Sequence, residues 1–257
     1  MKMKVGLLIL MFFVSVVTYA QEDPSIDERL EYPDDQKRSN DSQDIQNVQL
    51  IEVAFSLALP TGAFKETVDR TLIPGFYGGF LYQVIPEKPT FIGASINYGF
   101  LGGLTREYED VIDNELIEIR GRFNSNFLGL NAVARYYMKI PNVNLELFFE
   151  GRLGGNWFYS RLNETGEFFN GEQFSDSQNF NSSLGLSYGG TLGFQSHIND
   201  NIYLTLRTGF SATVAVDYHR KIDFEPNEFP LFPQDGFELV RSAADLIIFD
   251  IGITYTH

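Results

Sequence analysis

Eight stretches of alternating apolar and polar side chains between residues 48 and 257 constrain the fold more than any other feature of this chain. The last stretch, LIIFDIGITYTH at residues 246–257, is mainly apolar but carries a charged residue, Asp250, in its middle. Successive side chains of a β-strand point to opposite faces, so Asp250 shares a face with Gly252 and Thr254, and the large apolar residues share the other. The seven earlier stretches lie at residues 48–60, 76–85, 91–100, 127–138, 145–157, 183–195 and 202–214. Adjacent Gly78 and Gly79 leave the phase of the second stretch open.

The links between these predicted strands alternate in length. Short links lie at residues 86–89, 141–144 and 197–201, and long links at about 61–75, 101–126, 158–181 and 217–242. Short turns on one rim and long loops on the other are typical of a transmembrane β-barrel, and a compact soluble domain rarely contains several links of that length. The link at 101–126 itself alternates around a turn near Asp113 and Asn114, so we expect it to extend its hairpin above the membrane.

The first 47 residues indicate the compartment. Residues 1–20 combine two lysines, a 13-residue apolar run and small or polar residues near Ala20, which is typical of a secretory signal cleaved near Ala20. We interpret residues 21–47, which are acidic and poor in apolar side chains, as a flexible periplasmic leader, and residues 48–257 as the barrel domain. Loss of Lys2 and Lys4 with the signal leaves 17 basic and 34 acidic residues, a net charge of −17, which argues against nucleic acid as a partner. The chain contains no cysteine, so disulfides, thiolate metal sites and cysteine nucleophiles are excluded.

The polar faces of the predicted strands fit the lumen of a barrel. They consist mainly of Gly, Ser, Thr and Asn, whereas a soluble lipocalin-like barrel would show Lys, Glu and Thr to water. Hydrocarbon cannot satisfy a charge, so we predict that the charged residues of these faces gather in the lumen. The predicted set is Glu52, Arg135, Glu146, Glu150, Arg152, Arg207 and Asp250. Tight short turns would place Arg135 directly across from Glu150, with Arg152 nearby, and Thr191 across from Arg207.

Aromatic residues near the strand ends predict two membrane-interface belts. The predicted belt residues are Tyr136, Phe194 and Tyr255 toward the short-turn rim, and Tyr98, Phe100, Trp157, Phe158 and Tyr159 toward the long-loop rim. Strands of about ten residues tilted by roughly 40 degrees cover an apolar band about 25 Å tall. The predicted fold class is all-β: an eight-stranded antiparallel transmembrane up-and-down β-barrel with short periplasmic turns and long extracellular loops.

These features resemble the small bacterial outer-membrane β-barrels of the OmpA and OmpX type, and more narrowly the PorT-like porin-family barrels. The resemblance spans about residues 48–257 and includes LALPTGAF at residues 57–64, which closes the first strand, and the aromatic-containing last strand. It implies an integral protein in the outer membrane of a Gram-negative cell envelope, and its motifs specify a fold rather than an activity. The chain departs from the family pattern by ending in Tyr255, Thr256 and His257 instead of a final Phe.

Three functions are compatible with such a barrel. Eight strands leave an interior just wide enough for side chains, so we predict a packed polar lumen and a structural, binding or assembly role for the extracellular loops or the periplasmic leader. A narrow ion or small-solute channel is the first alternative. The second is a lipid- or peptide-modifying enzyme that uses His219, the histidine of the last long loop, although no well-placed serine accompanies it in the sequence.

The partners expected from the sequence are outer-membrane lipid and lipopolysaccharide, to which divalent cations would bridge the acidic loops, and a protein bound by the leader or the loops. The sequence predicts no catalytic, cofactor-binding or metal-ligating set of residues and no cofactor. The stretch at residues 223–237 is rich in aromatic residues and proline, and we expect it either to cap the barrel mouth or to dock a partner.

Overall fold

Strands make up most of the computed structural model of the chain, which describes residues 48–68, 71–85, 88–112, 115–139, 145–168, 171–199, 201–222 and 230–257. The strands are β1 Gln49–Thr61, β2 Ile73–Gln83, β3 Thr90–Ile112, β4 Glu115–Lys139, β5 Leu145–Glu167, β6 Gln173–Asn199, β7 Ile202–Thr213, β8 Val216–Lys221, β9 Phe237–Ser242 and β10 Asp245–Thr256. A short helix α1 at Gly62–Thr67 follows β1, and a 3₁₀ helix at Pro233–Gly236 precedes β9. The predicted signal, the leader and residues 223–229 lie outside the described residues.

The first and last strands pair with each other and close the sheet into a barrel. β1 and β10 are antiparallel from Leu50 opposite Thr256 to Thr61 opposite Asp245. The ring of neighbouring strands runs β1, β2, β3, β4, β5, β6, β7 and β10, and all of these neighbours are antiparallel. The predicted eight-stranded up-and-down barrel is therefore confirmed.

Side chains alternate between the interior and the exterior of the barrel. On β1, Glu52 and Ala54 are 3% and 6% exposed, whereas Val53 between them is 65% exposed. The exterior of other strands is equally apolar, with Leu130 and Leu184 exposed by 66% and 76%. An apolar exterior around a closed sheet is what hydrocarbon requires, because closure pairs the first strand with the last and the ion-paired charges lie on the lumen side.

The structure also fixes the phase of β2. Tyr77 and Leu81 face the interior and are buried, whereas Phe76 and Phe80 face outward and are exposed. The adjacent glycines that obscured this phase in the sequence belong to opposite faces of the strand.

Four consecutive strands are about twice as long as the other four of the ring. β3, β4, β5 and β6 contain 23, 25, 23 and 27 residues, whereas β1, β2, β7 and β10 contain 13, 11, 12 and 12. The predicted extension of β3 and β4 continues to Ile112 opposite Glu115. β5 and β6 also extend, to Glu167 opposite Gln173, and the sequence does not predict this because few apolar residues mark an alternation there.

The last long link contains a small sheet of its own. β8 and β9 form an antiparallel hairpin from Val216 opposite Ser242 to Lys221 opposite Phe237. They pair with each other and not with the ring. The first long link begins with α1, whose first residue, Gly62, has a φ of 55°. Only glycine adopts this conformation without strain, so it lets the chain turn sharply from β1 into the helix.

The register between β6 and β7 differs from the prediction. Pairing continues to Asn199 opposite Ile202, with a one-residue irregularity just before the turn. Gly193 therefore lies across from Arg207, and the predicted pairing of Thr191 with Arg207 is wrong. The pairing of β6 with β7 continues farther toward the turn than predicted and includes a bulge, and the sequence of the link specifies neither feature. Because the register is shifted by two residues, an even number, Arg207 still faces the lumen.

Candidate functional site

Six charged side chains meet in the barrel lumen, and we call them the lumen charge cluster. They come from β1, β4, β5, β7 and β10, on the inward face of each strand. They are Glu52, Arg135, Glu150, Arg152, Arg207 and Asp250. None of these side chains is more than 5% exposed. Pairing between strands brings together residues that lie up to 198 positions apart in the sequence, from 52 to 250.

Arg135 is the most highly connected member of the cluster. Its Nη1 and Nη2 donate to the two carboxylate oxygens of Glu52 at 2.5 and 2.6 Å, and its Nε donates to Glu150 Oε2 at 2.8 Å. Nη1 also donates to the Tyr137 hydroxyl at 2.8 Å and Nη2 to Glu150 Oε2 at 2.5 Å, so all five N–H groups have an acceptor. The Phe148 ring lies 4.2 Å from the guanidinium carbon. Arg135 and Glu150 are direct cross-strand partners, so the predicted pairing is confirmed, while the predicted turn at residues 141–144 lies outside the described residues.

Tyr77 forms a second centre, between two arginines. The guanidinium carbon of Arg207 lies 3.5 Å from the centre of its ring, and that of Arg152 lies 4.8 Å from it. Arg207 donates to Asp250 Oδ2 at 2.9 Å and to Glu52 Oε2 at 3.2 Å. Sequence reasoning missed Tyr77 because the adjacent Gly78 and Gly79 leave the phase of β2 open.

The lumen charge cluster is electrically balanced. It contains three carboxylates and three guanidinium groups, and Arg152 completes it by donating to Glu150 Oε1 at 2.5 Å. Buried charges are tolerated when each is paired and hydrogen-bonded, and a balanced set offers no net charge that would draw an ion of either sign into the lumen. Chemically, the cluster is suited to joining strands across the lumen.

Glu146 is the one predicted lumen charge that does not join the cluster. It lies on the inward face of β5 toward the short-turn rim and is half-buried. No ion pair of Glu146 occurs among the described residues. Phe148 separates it from Glu150 along the strand and is fully buried, with its ring 5.4 Å from that of Tyr137.

A layer of uncharged polar side chains lies above the cluster, toward the long-loop rim. Asn156 donates to the Thr213 hydroxyl at 2.7 Å, and Ser187 donates to Asn131 at 2.8 Å. A cavity of about 20 Å³ beside Asn156 is lined in part by Ser56 and has room for about one water. These side chains satisfy one another across the lumen and leave little free space.

An aromatic plug closes the lumen at the long-loop rim, and it consists of Phe64, Phe127, Phe158 and Tyr218. Phe64 comes from α1 and Tyr218 from β8, and their ring centres are 5.1 Å apart. Phe127 and Phe158 come from the barrel wall and stack at 5.5 Å. Each of the four residues is less than 7% exposed. The prediction that Phe158 belongs to an interface belt is wrong, because it lies on the lumen side of β5, next to the outward-facing Trp157.

His219 lies beside the plug, under the β8–β9 hairpin. Its Nδ1 lies 3.0 Å from the hydroxyl of Ser160, and its ring lies 5.3 Å from that of Phe123. Burial lowers the pKa of His219 below its usual value, because the charged imidazolium would lose its hydration there. Sequence reasoning did not identify Ser160 as a neighbour of this histidine. The contact spans 59 positions of sequence and depends on how the last long link folds back.

Ser160 is nevertheless poorly placed to react with a ligand. It is 1% exposed, and its hydroxyl also donates to Ser125 at 3.3 Å. Asp217, two residues from His219, binds Arg241 at 3.1 Å. The geometry therefore describes a buried polar contact that ties the hairpin to the barrel wall.

Apart from Phe158, the predicted belt residues lie on the outer surface near both rims. Toward the long-loop rim Trp157 is 43% exposed and donates to the Ser182 hydroxyl at 2.5 Å, and Tyr98 donates to Asn126 at 2.7 Å. Phe100 on this rim is half-buried. Toward the short-turn rim Tyr136 and Tyr255 are 49% and 40% exposed, and Phe194 is half-buried.

In the part of the chain that the structure describes, no helix is long and apolar enough to cross a membrane. The same residues contain no group of three or more His, Cys, Asp or Glu side chains that could hold a metal ion.

The closed ring of eight strands, the apolar exterior and the balanced lumen define a transmembrane β-barrel of the outer-membrane type. Comparisons with protein-family models and with curated proteins found no match. Among solved structures, the Neisserial surface protein A (NspA) is 8% identical over 82% of this chain and 95% of its own, with a TM-score of 0.41. The outer membrane protein OprG from Pseudomonas aeruginosa is 16% identical over 82% and 96%, with a TM-score of 0.41. A major outer membrane protein from Thermus thermophilus is 9% identical over 82% and 100%, with a TM-score of 0.40. Likenesses of this degree concern the fold alone.

Proposed function

We propose that this protein is an integral protein of the bacterial outer membrane that acts as a structural or binding component through its extracellular part and does not conduct solutes. The predicted secretory signal and the apolar exterior of the closed barrel support the outer-membrane location. The long links then extend outside the cell and the short turns face the periplasm.

The lumen charge cluster is the observation that carries this proposal. The gap beside Glu52, Arg207 and Asp250 has no volume for a water molecule. A solute that crossed the barrel would have to separate these buried ion pairs, and breaking such a pair costs several kcal/mol. Below the cluster, Gln195, Thr205 and Thr254 bond to one another at 2.6 to 3.2 Å, and above it the aromatic plug closes the mouth.

Conductance in planar bilayers tests this function. We expect the full chain, folded and inserted, to give no current steps, whereas a general porin in the same bilayer gives them. Circular dichroism of the same protein preparation in lipid vesicles must show strand, so that the absence of current is not confused with a failure to fold and insert. Reproducible steps from the inserted barrel would favour the narrow-channel alternative and contradict a packed lumen.

A role in binding draws on the long strands. β3 to β6 and the β8–β9 hairpin place most of the described extracellular residues on one side of the mouth. The acidic leader, residues 21–47, is the other candidate for contact with a protein partner. Copurification from detergent extracts, with and without residues 21–47, distinguishes these two: a partner lost with the leader binds in the periplasm, and a partner retained binds elsewhere.

The contact between His219 and Ser160 is the one observation that favours an enzyme. We propose that its role is structural, because the serine hydroxyl is enclosed by Ser125 and the hairpin. Purified protein is expected to hydrolyse neither phospholipid nor peptide substrates. Activity that disappears in both His219→Ala and Ser160→Ala, with the barrel still folded, would reverse this assignment.

A further inference from the structure

Three exposed arginines lie on the outer surface of the barrel just beyond the long-loop aromatic belt. Arg120 and Arg122 are on β4, and Arg161 is on β5. All three lie at outward-facing positions, in line with Leu128 and Trp157 on the same strands. We call them the arginine patch.

The strand register sets the height of the arginine patch. Tyr159 lies opposite Asn126, the next outward pair joins Arg161 to Asn124, and the one after joins Arg122 to Asn163. Each two-residue step rises about 6.7 Å along a strand, or roughly 5 Å along the membrane normal at a tilt near 40 degrees. Arg161 and Arg122 therefore lie about 5 to 10 Å above the ring of Tyr159, where the hydrocarbon gives way to headgroups.

At Arg122 and Arg161, the two members of the arginine patch nearest the belt, no carboxylate is a direct cross-strand neighbour. None of its three members forms an ion pair among the described residues. Arg120 has Glu107 as its cross-strand neighbour, whereas Arg122 has Thr105 and Asn163. The carboxylates of this outward face lie beside Arg120 and farther from the belt, so the residues nearest the lipid are basic or neutral in a chain of net charge −15.

Arg161 is also oriented by its surroundings. Its Nε donates to the Ser177 hydroxyl at 2.6 Å, and that hydroxyl donates to Asn163 at 2.8 Å. Arg122 lies diagonally across the strand pair, where Cα atoms are about 7 to 8 Å apart. Two guanidinium groups at this spacing are able to bind oxygens of one phosphate group or of two adjacent ones.

We propose that the arginine patch binds the lipid A phosphates of lipopolysaccharide in the outer leaflet. Acyl chains would pack on the apolar exterior below Trp157, and the phosphorylated sugars would lie at the level of Arg122 and Arg161. An acidic protein partner fits less well, because the patch faces sideways into the membrane rather than away from the cell. The inference rests on the proposed outer-membrane location, and it replaces the cation-bridged acidic loops as the route to lipopolysaccharide.

The test measures binding of purified lipid A to the folded full chain in neutral detergent micelles. Diphosphorylated lipid A, lipid A without its phosphates and inorganic phosphate are titrated separately, and native mass spectrometry counts the bound molecules. We expect diphosphorylated lipid A to bind, and the triple variant Arg120→Gln, Arg122→Gln, Arg161→Gln to bind it at least about tenfold more weakly. Removal of the phosphates is expected to weaken binding to the wild-type chain by a similar factor.

Arg241→Gln is the matched control. Arg241 is an extracellular arginine that is 65% exposed at its side chain, but it is paired with Asp217 on the β8–β9 hairpin, so its loss is expected to leave lipid A binding unchanged. Equal binding of lipid A with and without phosphates, or by the triple variant and the wild type, would overturn the inference while the barrel stands. Binding of inorganic phosphate as tight as that of lipid A would also overturn it, since the patch would then recognise the free ion. A chain that fails to show strand in detergent would instead contradict the proposed function itself.

Discussion

The lumen charge cluster and the aromatic plug both close the barrel, but they are built from different parts of the chain. Every member of the cluster belongs to a spanning strand, and its ion pairs join β1, β4, β5, β7 and β10 across the lumen. The plug joins two wall residues, Phe127 and Phe158, to two residues of the long links, Phe64 and Tyr218. The cluster therefore cannot open without disturbing the barrel, whereas displacement of the β8–β9 hairpin would remove Tyr218 from the plug and leave the ring strands paired.

The two regions also use different physics. The cluster depends on geometry, because a buried charge that loses its partner keeps the full cost of its lost hydration. The plug depends on apolar contact, whose loss scales with the size of the space left behind. β8 and β9 pair only with each other among the described strands, so displacement of the hairpin would not unpair the ring. We expect mutations in the cluster to lower the stability of the whole barrel and mutations in the plug to act mainly on the hairpin.

Arg135→Met gives the largest expected effect. Methionine fills much of the space but leaves Glu52 and Glu150 without their main donor, which is expected to lower the free energy of unfolding by about 3 to 5 kcal/mol. Urea-induced unfolding of the barrel in detergent or lipid vesicles measures this change. Arg241→Met, at an exposed ion pair, is the control and is expected to change stability by less than about 1 kcal/mol. Equal unfolding midpoints for wild type and Arg135→Met would mean that the cluster does not hold the wall together.

Phe158→Ala is expected to have a smaller and more local effect. The ring contacts Phe64 and Tyr218 at centre distances of 6.3 and 5.8 Å, and its loss is expected to cost about 3 kcal/mol of hairpin docking. Hydrogen exchange should become faster in β8 and β9 while the ring strands remain protected. Trp157→Ala, the adjacent residue on the lipid side, is the control and should leave exchange in the hairpin unchanged. Faster exchange throughout the ring, with none in the hairpin, would contradict the division between the two regions.

The cluster could be predicted from the sequence to a greater extent than the plug. Period-two alternation assigns Glu52, Arg135, Glu150 and Asp250 to the lumen because hydrocarbon excludes charge, and one short turn is enough to place Arg135 across from Glu150. The register of Arg207 was missed because a bulge and a turn type are local choices that HINDN does not encode uniquely. Closure of the ring then brings β1 beside β10, which no local pattern specifies.

The plug and the contact of His219 with Ser160 lay beyond sequence reasoning for a different reason. Both depend on how a long link folds back over the mouth, and neither strand alternation nor turn length constrains a segment of that size. Phe158 illustrates the point, because its proximity to the rim suggested a belt residue. Only its even spacing from Arg152 along β5, which puts both side chains on the same face of the strand, places it in the lumen. In this barrel, the alternation of side chains along a strand predicts whether a residue faces the lumen or the lipid better than its distance from the rim does.

Acidification is expected to have the smallest effect, and to act on the hairpin alone. Burial lowers the pKa of His219 when the hairpin is docked, so the undocked hairpin, with an ordinary pKa of about 6.5, binds a proton more readily. Docking is therefore strongest above about pH 6.5 and weakens as the pH falls from there toward the lowered pKa. Hydrogen-exchange protection factors of β8 and β9, corrected for the intrinsic pH dependence of exchange, should decrease between pH 7.5 and pH 5. His219→Gln retains a polar group opposite Ser160 but cannot titrate, so its hairpin should be equally protected at both pH values. An equal loss of protection in this variant would assign the pH response to a group other than His219. The difference in pH response between the lumen charge cluster and the β8–β9 hairpin would then have no basis in this histidine.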